Sequence, residues 1–367
     1  MKLAVLRRRT LLLVLIGLIS CSKDEQEATP LFTPVDLAQP WQTSNATEER
    51  IGDLSSLAAN AAKLKRLTSL LIFRNGKLVR EEYYNGFKKD SLHDVRSVTK
   101  SVVALLVGVA LEKGFFKSVQ DPIGDYLKPP EFTLTEQQKN ITLLQLLTMT
   151  GGFEWDETDG NSYNEWILSN RPIEFLLEKP LTDTPGSTFN YNSAAVHLLG
   201  IVLNKATGVN VPDFANQNLF SKLGIDDVEW EQFDDHYVNG GSGIRLRPQD
   251  MAKIGQLVLQ KGMSGSQSVV SEDWIKSITD PAFSWRDSYG VLKNHTYSRL
   301  WWIQDAPSAK AFFAWGFGGQ FIYVLPEKNL VIVITTNWIK SAEAGGSYAI
   351  TQEALDLIIN KILPVVQ

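Results

Sequence analysis

Ser97-Val98-Thr99-Lys100 places a hydroxyl and an amine three residues apart at the start of an apolar helical run. Residues at i and i+3 share a helix face, so the Lys100 amine can lie against the Ser97 hydroxyl. The positive end of a helix dipole favours negative charge developing on a serine at its start. A buried lysine that loses proton affinity can act as the base that a serine needs before it attacks a carbonyl. The spacing alone carries little weight, because a serine at a helix start is also an ordinary N-cap. The same S-x-x-K pattern recurs at Ser20-Cys21-Ser22-Lys23. His93, His197, His236 and His295 are scattered without HxH or HExxH spacing, so neither a metal site nor a cofactor is expected. GxGxxG, Walker A and GxSxG sequences are absent, which removes motif support for nucleotide folds and α/β-hydrolases.

The wider context raises the weight of the pair. The stretch from Ser97 to Gly114, then Asp121-Pro122-Ile123-Gly124-Asp125-Tyr126, then Leu146 to Gly152, closely resembles the serine β-lactamase and penicillin-binding-protein superfamily. The resemblance is greatest to its class C-like branch of esterases, D-amino-acid peptidases and 6-aminohexanoate-dimer hydrolases. Pro185 to Ser193, followed by Leu198-Leu199-Gly200, resembles the branch's second motif, and Gly316 to Gln320 ahead of two strands resembles the third. The resemblance runs from about Leu70 to Asn337. It implies Ser97 as nucleophile, Lys100 as base, and Tyr191, at the tyrosine of the Y-x-N motif, as proton relay. A lysine ammonium nearby is expected to lower the Tyr191 pKa.

Two departures matter. Ser193 stands where the motif has asparagine; a hydroxyl can bond Lys100 or a substrate but lacks an amide's paired donor and acceptor. Asn192, next to it, is expected to point elsewhere. Ala314-Trp315-Gly316 replaces the lysine or histidine, hydroxyl and glycine of the third motif, removing the groups that would receive a substrate carboxylate. A less polar acyl substrate is expected, with Trp315 as an aromatic wall and Gly316 allowing close backbone approach. By the resemblance, the N–H of Ser97 and that of Phe317 or Gly318 form the oxyanion hole. Trp155-Asp156-Glu157 borders the cleft in relatives, yet acidic loop residues are usually solvated. Trp301-Trp302 reads as sheet core before sugar platform, His295 as exposed on a polar loop, and His197 as a satisfied structural residue.

The elements that must position these groups alternate between sheet and helix signals. Helical spacing covers 47–66, with Glu48 and Glu49 first and Lys63, Lys65 and Arg66 last. Two strand patterns, Ser69–Phe73 and Lys77–Tyr84, flank Asn75-Gly76, a strong hairpin signal. A long apolar helix follows over Ser97–Lys113, closed by Gly114. Prolines and glycines break 120–235 into short helical pieces, and Met251–Leu259 is amphipathic. Strands return at Trp301–Gln304, Phe312–Trp315, Gln320–Leu325 and Leu330–Asn337, before a closing helix over Ser347–Leu363. Strands at both ends predict an α/β chain of the α+β type, with the β-lactamase/DD-peptidase-like fold that the resemblance implies. Its antiparallel sheet, flanked by helices, is assigned to 46–115 and 265–367, and its all-helical lobe to 116–264. Loops at 153–180 and 280–300 are expected to shape the pocket.

The chain of 367 residues is 44% hydrophobic and 21% charged, enough apolar content for a large core. A net charge of −5 argues against nucleic acid as a partner. Lys2, Arg7, Arg8 and Arg9 precede the apolar run Leu11–Ile19, which suits an export signal over 1–20. Leu18-Ile19-Ser20-Cys21 resembles a bacterial lipobox, which implies acylation at Cys21, the only cysteine. Several acyl chains give stable membrane anchoring. Ser22, in place of an inner-membrane retention aspartate, points to the outer membrane, with the protein facing the periplasm or the cell surface. Residues 21–45, with Pro30, Pro34 and Pro40, read as a tether. The expected activity is hydrolysis of a small ester, amide or peptide through a serine acyl-enzyme. The alternatives are a D-amino-acid peptidase or β-lactamase acting on cell-wall-like substrates, and a non-catalytic binding homologue.

Overall fold

In the computed structural model, Asn75 and Gly76 both take positive φ, 51° and 74°, as a two-residue primed hairpin turn requires. They join β1 (Leu67–Arg74) to β2 (Lys77–Tyr83). The structure describes residues 33–157, 161–233, 236–306, 309–339 and 346–367. The leader, Cys21 and the first part of the tether lie outside the described residues.

The main sheet has eight strands. The others are β3 (Asp287–Tyr289), β4 (Leu292–Tyr297), β5 (Trp302–Ala306), β6 (Ala309–Gly316), β7 (Gln320–Leu325) and β8 (Leu330–Thr336). Their order is β2-β1-β8-β7-β6-β5-β4-β3, antiparallel throughout. The first strand thus pairs with the last: Leu71 lies opposite Val333 and Ile72 opposite Ile332. Alternation divides β1 between two cores. Leu71 and Phe73 face one side, Leu70 and Ile72 the other, as the two-residue period of a strand dictates.

On the first side packs α2 (Val98–Glu112), whose residues from Val98 to Ala110 are all buried. A helix apolar all round belongs in a core, and this one is enclosed. Beside it run α3 (Ser193–Thr207) and α4 (Pro248–Leu259). The opposite face is covered by α1 (Ser55–Ala61), α5 (Gly346–Asp356) and the chain that continues α5 to Ile362. Between β2 and β3 the chain is mainly helical, including short helices at Leu143–Leu147, Asn161–Ile167 and Pro172–Leu177.

Two expectations fail. The helix over 47–66 shrinks to Ser55–Ala61, because Glu49 is drawn into the β1–β2 hairpin. Its carboxylate accepts from Asn75 Nδ2 at 2.8 Å and Lys77 Nζ at 3.0 Å, and turns occupy 46–50. The supposed loop at 280–300 contains β3 and β4. His295 lies on β4 and is 4% exposed, so it is not on an exposed polar loop.

Candidate active site

Ser97 occupies the N-cap position of α2, yet its hydroxyl makes no capping bond. It is helical in conformation (φ −67°, ψ −3°), not extended as an N-cap residue usually is. The capping reading therefore fails. Arg96, just before it, takes φ 50°, an uncommon conformation for a non-glycine residue. Several contacts hold it there. Asp94 Oδ1 accepts from its N–H at 3.0 Å, its guanidinium donates to the Tyr163 hydroxyl at 2.5 Å, and the same group lies 4.4 Å from the Trp338 ring centre.

Lys100 is 1% exposed. Its Nζ contacts Ser97 Oγ at 2.8 Å, Ser193 Oγ at 2.8 Å and the Gly241 carbonyl at 2.7 Å. Burial pushes its pKa down to about 7; the Glu157 carboxylate opposes the fall and the Arg96 cation adds to it.

Tyr191 completes the group. Its hydroxyl is hydrogen-bonded to Ser97, and its ring centre lies 5.0 Å from Lys100 Nζ. Its ring stacks on Trp302 and meets Tyr297 edge-on. Here the sequence reading is corrected, since the phenol is pushed well above its usual value rather than lowered. Desolvation of the half-buried ring among its neighbours is the main cause and the negative Glu157 the second; the Ser97 hydrogen bond and Arg96 offset them only in part. Lys100, itself held near neutrality, provides no full charge to reverse this.

Ser193 opens α3 and is fully buried. Its hydroxyl bonds Lys100 and also Glu157 Oε1, at 2.6 Å, while its N–H donates to Glu157 Oε2 at 2.8 Å. Asn192 does point elsewhere, capping α3 through a bond from the Ala195 N–H at 2.9 Å. Glu157, expected to be a solvated loop acid, instead belongs to the site, and Trp155 Nε1 donates to its Oε2 at 3.0 Å.

The end of β6 closes the opposite wall. A side chain at Gly316 would put its Cβ 2.2 Å from the Val95 carbonyl, so only glycine lets this strand pass beside the start of α2. Trp315, Phe317 and Gly318 then line a cleft of about 430 Å³ together with Ser97, Tyr191 and Glu157. Trp302 also faces it, whereas Trp301 is fully buried core, so the tandem pair divides between the two roles. The N–H groups of Phe317 and Gly318 meet no acceptor among the described residues. A larger cavity of about 560 Å³, lined in part by Gln145, Lys276, Asp280 and Arg299, includes none of the three catalytic candidates. His197 packs against Trp166 and Phe233 in the core. Among the described residues, no group of three or more His, Cys, Asp or Glu side chains could hold a metal ion.

Sequence reasoning missed the Gly241 carbonyl and undervalued Glu157. The first has no side chain to announce it. The second was signalled only by its place after Gly151-Gly152.

Comparison with known proteins bears on the family and the fold. The chain is 24% identical over 330 residues to a 6-aminohexanoate-dimer hydrolase of Paenarthrobacter ureafaciens, covering 83% of this chain and 80% of that protein. Among solved structures, it resembles the penicillin-binding protein from Bacillus halodurans, with a TM-score of 0.65 and 17% identity over 83% of this chain and 99% of the other. It also resembles EstCE1, a hydrolase with promiscuous acyltransferase activity, with a TM-score of 0.64 and 14% identity over 83% and 96% of the two chains. These structural likenesses show the fold. The family model described as Beta-lactamase matches residues 62–354, most of the chain, and the protein therefore belongs to the beta-lactamase family.

Proposed function

We propose that this protein is a serine hydrolase that cleaves a small ester or amide through an acyl-enzyme on Ser97. The observation that carries the reading is the 2.8 Å contact between Ser97 Oγ and a buried Lys100 whose pKa falls to about 7. An amine that is substantially unprotonated near neutral pH can take the hydroxyl proton as Ser97 attacks. The oxygen of the tetrahedral intermediate is received by the N–H of Ser97 and that of Phe317 or Gly318. Tyr191, held as a neutral phenol, gives its proton to the leaving group. Lys100 and Tyr191 together thus carry one proton from Ser97 to the departing oxygen or nitrogen. Water activated by the same pair then releases the acid.

The wall at Trp315 argues for the ester or amide reading over β-lactam hydrolysis. No lysine or arginine lines the cleft among the described residues, and Lys100, buried behind Ser97, is already engaged by three hydrogen bonds. Glu157 and Asp287 add negative charge. A β-lactam carboxylate meets no cation there, while an uncharged acyl group meets Trp302, Trp315 and Phe317. The names of the Paenarthrobacter relative and of EstCE1 accord with this choice. A pure binding role would leave the assembled Ser97–Lys100–Tyr191 group without a purpose.

The leader and Cys21 complete the proposal: a lipid-anchored outer-membrane protein whose catalytic body faces the periplasm or the cell surface. A fluorophosphonate should add covalently to Ser97, as read by intact mass, and p-nitrophenyl esters should turn over far faster than nitrocefin. Absence of labelling would end the hydrolase reading. Efficient nitrocefin hydrolysis would favour the β-lactamase alternative.

A further inference from the structure

We propose that Glu157 is a positioning residue: it fixes the direction of the Ser193 hydroxyl and thereby aims the Lys100 lone pair at Ser97. The inference rests on the reading of Ser97 as nucleophile and Lys100 as base.

The argument is a count of donors and acceptors. A neutral lysine has two N–H bonds and one lone pair, and Lys100 Nζ has three neighbours. The Gly241 carbonyl can only accept. Ser193 has one hydroxyl proton and two suitors, Lys100 Nζ at 2.8 Å and Glu157 Oε1 at 2.6 Å. Three donors converge on the Glu157 carboxylate: the Ser193 hydroxyl, the Ser193 N–H and Trp155 Nε1. An ionised carboxylate only accepts, so the Ser193 proton points to Glu157 and its oxygen receives an N–H from Lys100. Both Lys100 N–H bonds are then spoken for. Ser97 is the one neighbour left that can give Lys100 a proton.

The same arrangement explains the serine at the motif's asparagine position. An asparagine would offer an acceptor and a donor from one side chain. Here Ser193 supplies the acceptor to Lys100, and Glu157 holds it in that role from a separate loop.

Glu157 also acts on Lys100 through its charge. The groups facing this amine are Ser97, Ser193, Gly241, Tyr191, Glu157 and, one shell out, Arg96 with its Tyr163 partner. Of these, Glu157 raises the proton affinity of Lys100 and Arg96 lowers it.

Two variants separate orientation from charge. In Glu157→Gln, the single amide oxygen is needed where the Ser193 N–H and Trp155 Nε1 both donate. The amide nitrogen is thereby left to donate to Ser193 Oγ, which turns the hydroxyl proton onto Lys100. In Glu157→Asp the charge remains but the shorter side chain draws back from Ser193. For p-nitrophenyl ester hydrolysis by the full chain, Glu157→Gln should lower the plateau kcat about tenfold or more and leave KM for an uncharged ester nearly unchanged. It should also move the acidic limb of the pH profile to lower pH, since a positive charge on Lys100 loses its counterion. Glu157→Asp should lower the plateau with little movement of the limb.

Combined with Ser193→Ala, Glu157→Gln should cost little further kcat, because its orienting target is gone. An unchanged plateau and limb in Glu157→Gln, or full additivity with Ser193→Ala, would overturn the proposal. Thermal midpoints separate misfolding from either outcome. If the wild-type chain hydrolyses no ester, the hydrolase reading falls. Titration of the Lys100 amine by NMR in wild type and Glu157→Gln then decides the matter, an unmoved titration overturning the role of Glu157.

Discussion

The two walls of the cleft are built on different principles. On the α2 side every polar group is committed: Lys100 has three partners, Ser193 two, and Glu157 three donors. On the β6 side, Trp315, Phe317 and Gly318 present aromatic surface and backbone, and Phe317 is 48% exposed. The first wall is a connected polar network, so a change of one group propagates through its hydrogen bonds. The second has few specific bonds to lose. On the function proposed above, the contrast teaches a division of labour: the first wall breaks the bond and the second chooses it.

That contrast sets the order of expected effects. Ser97→Ala removes the proposed nucleophile and should abolish covalent labelling, with turnover falling on the order of 10³-fold or more. A smaller loss would mean that some group outside the α2 wall attacks the substrate.

Tyr191→Phe keeps the ring stacked on Trp302 and removes one hydroxyl, so a folded protein is expected. Its loss should be much greater for an amide than for a p-nitrophenyl ester of the same acid, because an amine must be protonated to leave and a nitrophenolate need not be. Equal small losses would reduce Tyr191 to a structural residue.

Trp315→Ala should act on the other wall, raising KM for aromatic acyl esters by roughly fivefold, the loss of one aromatic contact of about 1 kcal/mol, with kcat little changed. A kcat effect as large as that of Tyr191→Phe would erase the distinction between the walls.

A separate effect is on stability. Burial lowers Lys100 from 10.5 to about 7, so between those values the unfolded chain binds the proton that the folded chain releases. Stability therefore rises with pH across that window and is lowest below it, where a charge must be buried. Denaturant midpoints measured across the window should show this slope in wild type and less of it in Lys100→Met.

Legibility in the sequence followed the distance along the chain between cooperating groups. Ser97 and Lys100 lie one helical turn apart, and strand alternation at both termini was enough to expect a single antiparallel sheet. Glu157 reaches Ser193 across 36 positions, through a loop whose sequence offers no periodic signal. β4 was hidden for a local reason. Asn294 takes φ 55° in mid-strand, and burial along Leu292–Tyr297 runs buried, exposed, exposed, buried, buried, buried instead of alternating. Its polar Lys293, Asn294 and His295 therefore read as loop, although His295 is enclosed. The Tyr191 pKa was misjudged because the sequence showed the neighbouring lysine but neither the depth of burial nor the Glu157 charge.

The pairing of β1 with β8 bears on how the molecule reaches its native state. Leu71 and Val333 are partners separated by most of the chain, and β6, which carries Gly316, is joined to β1 within the sheet through β7 and β8. During synthesis the hairpin β1–β2 and the helix bearing Ser97 emerge early. One edge of β1 then has no partner until β8 appears. Contacts of such long sequence separation form late and slowly, and an unpaired apolar strand edge is prone to aggregate while it waits. The cleft thus depends on β8: a fragment ending before it contains Ser97, Lys100, Tyr191 and β6, but not the strand that joins β7 to β1.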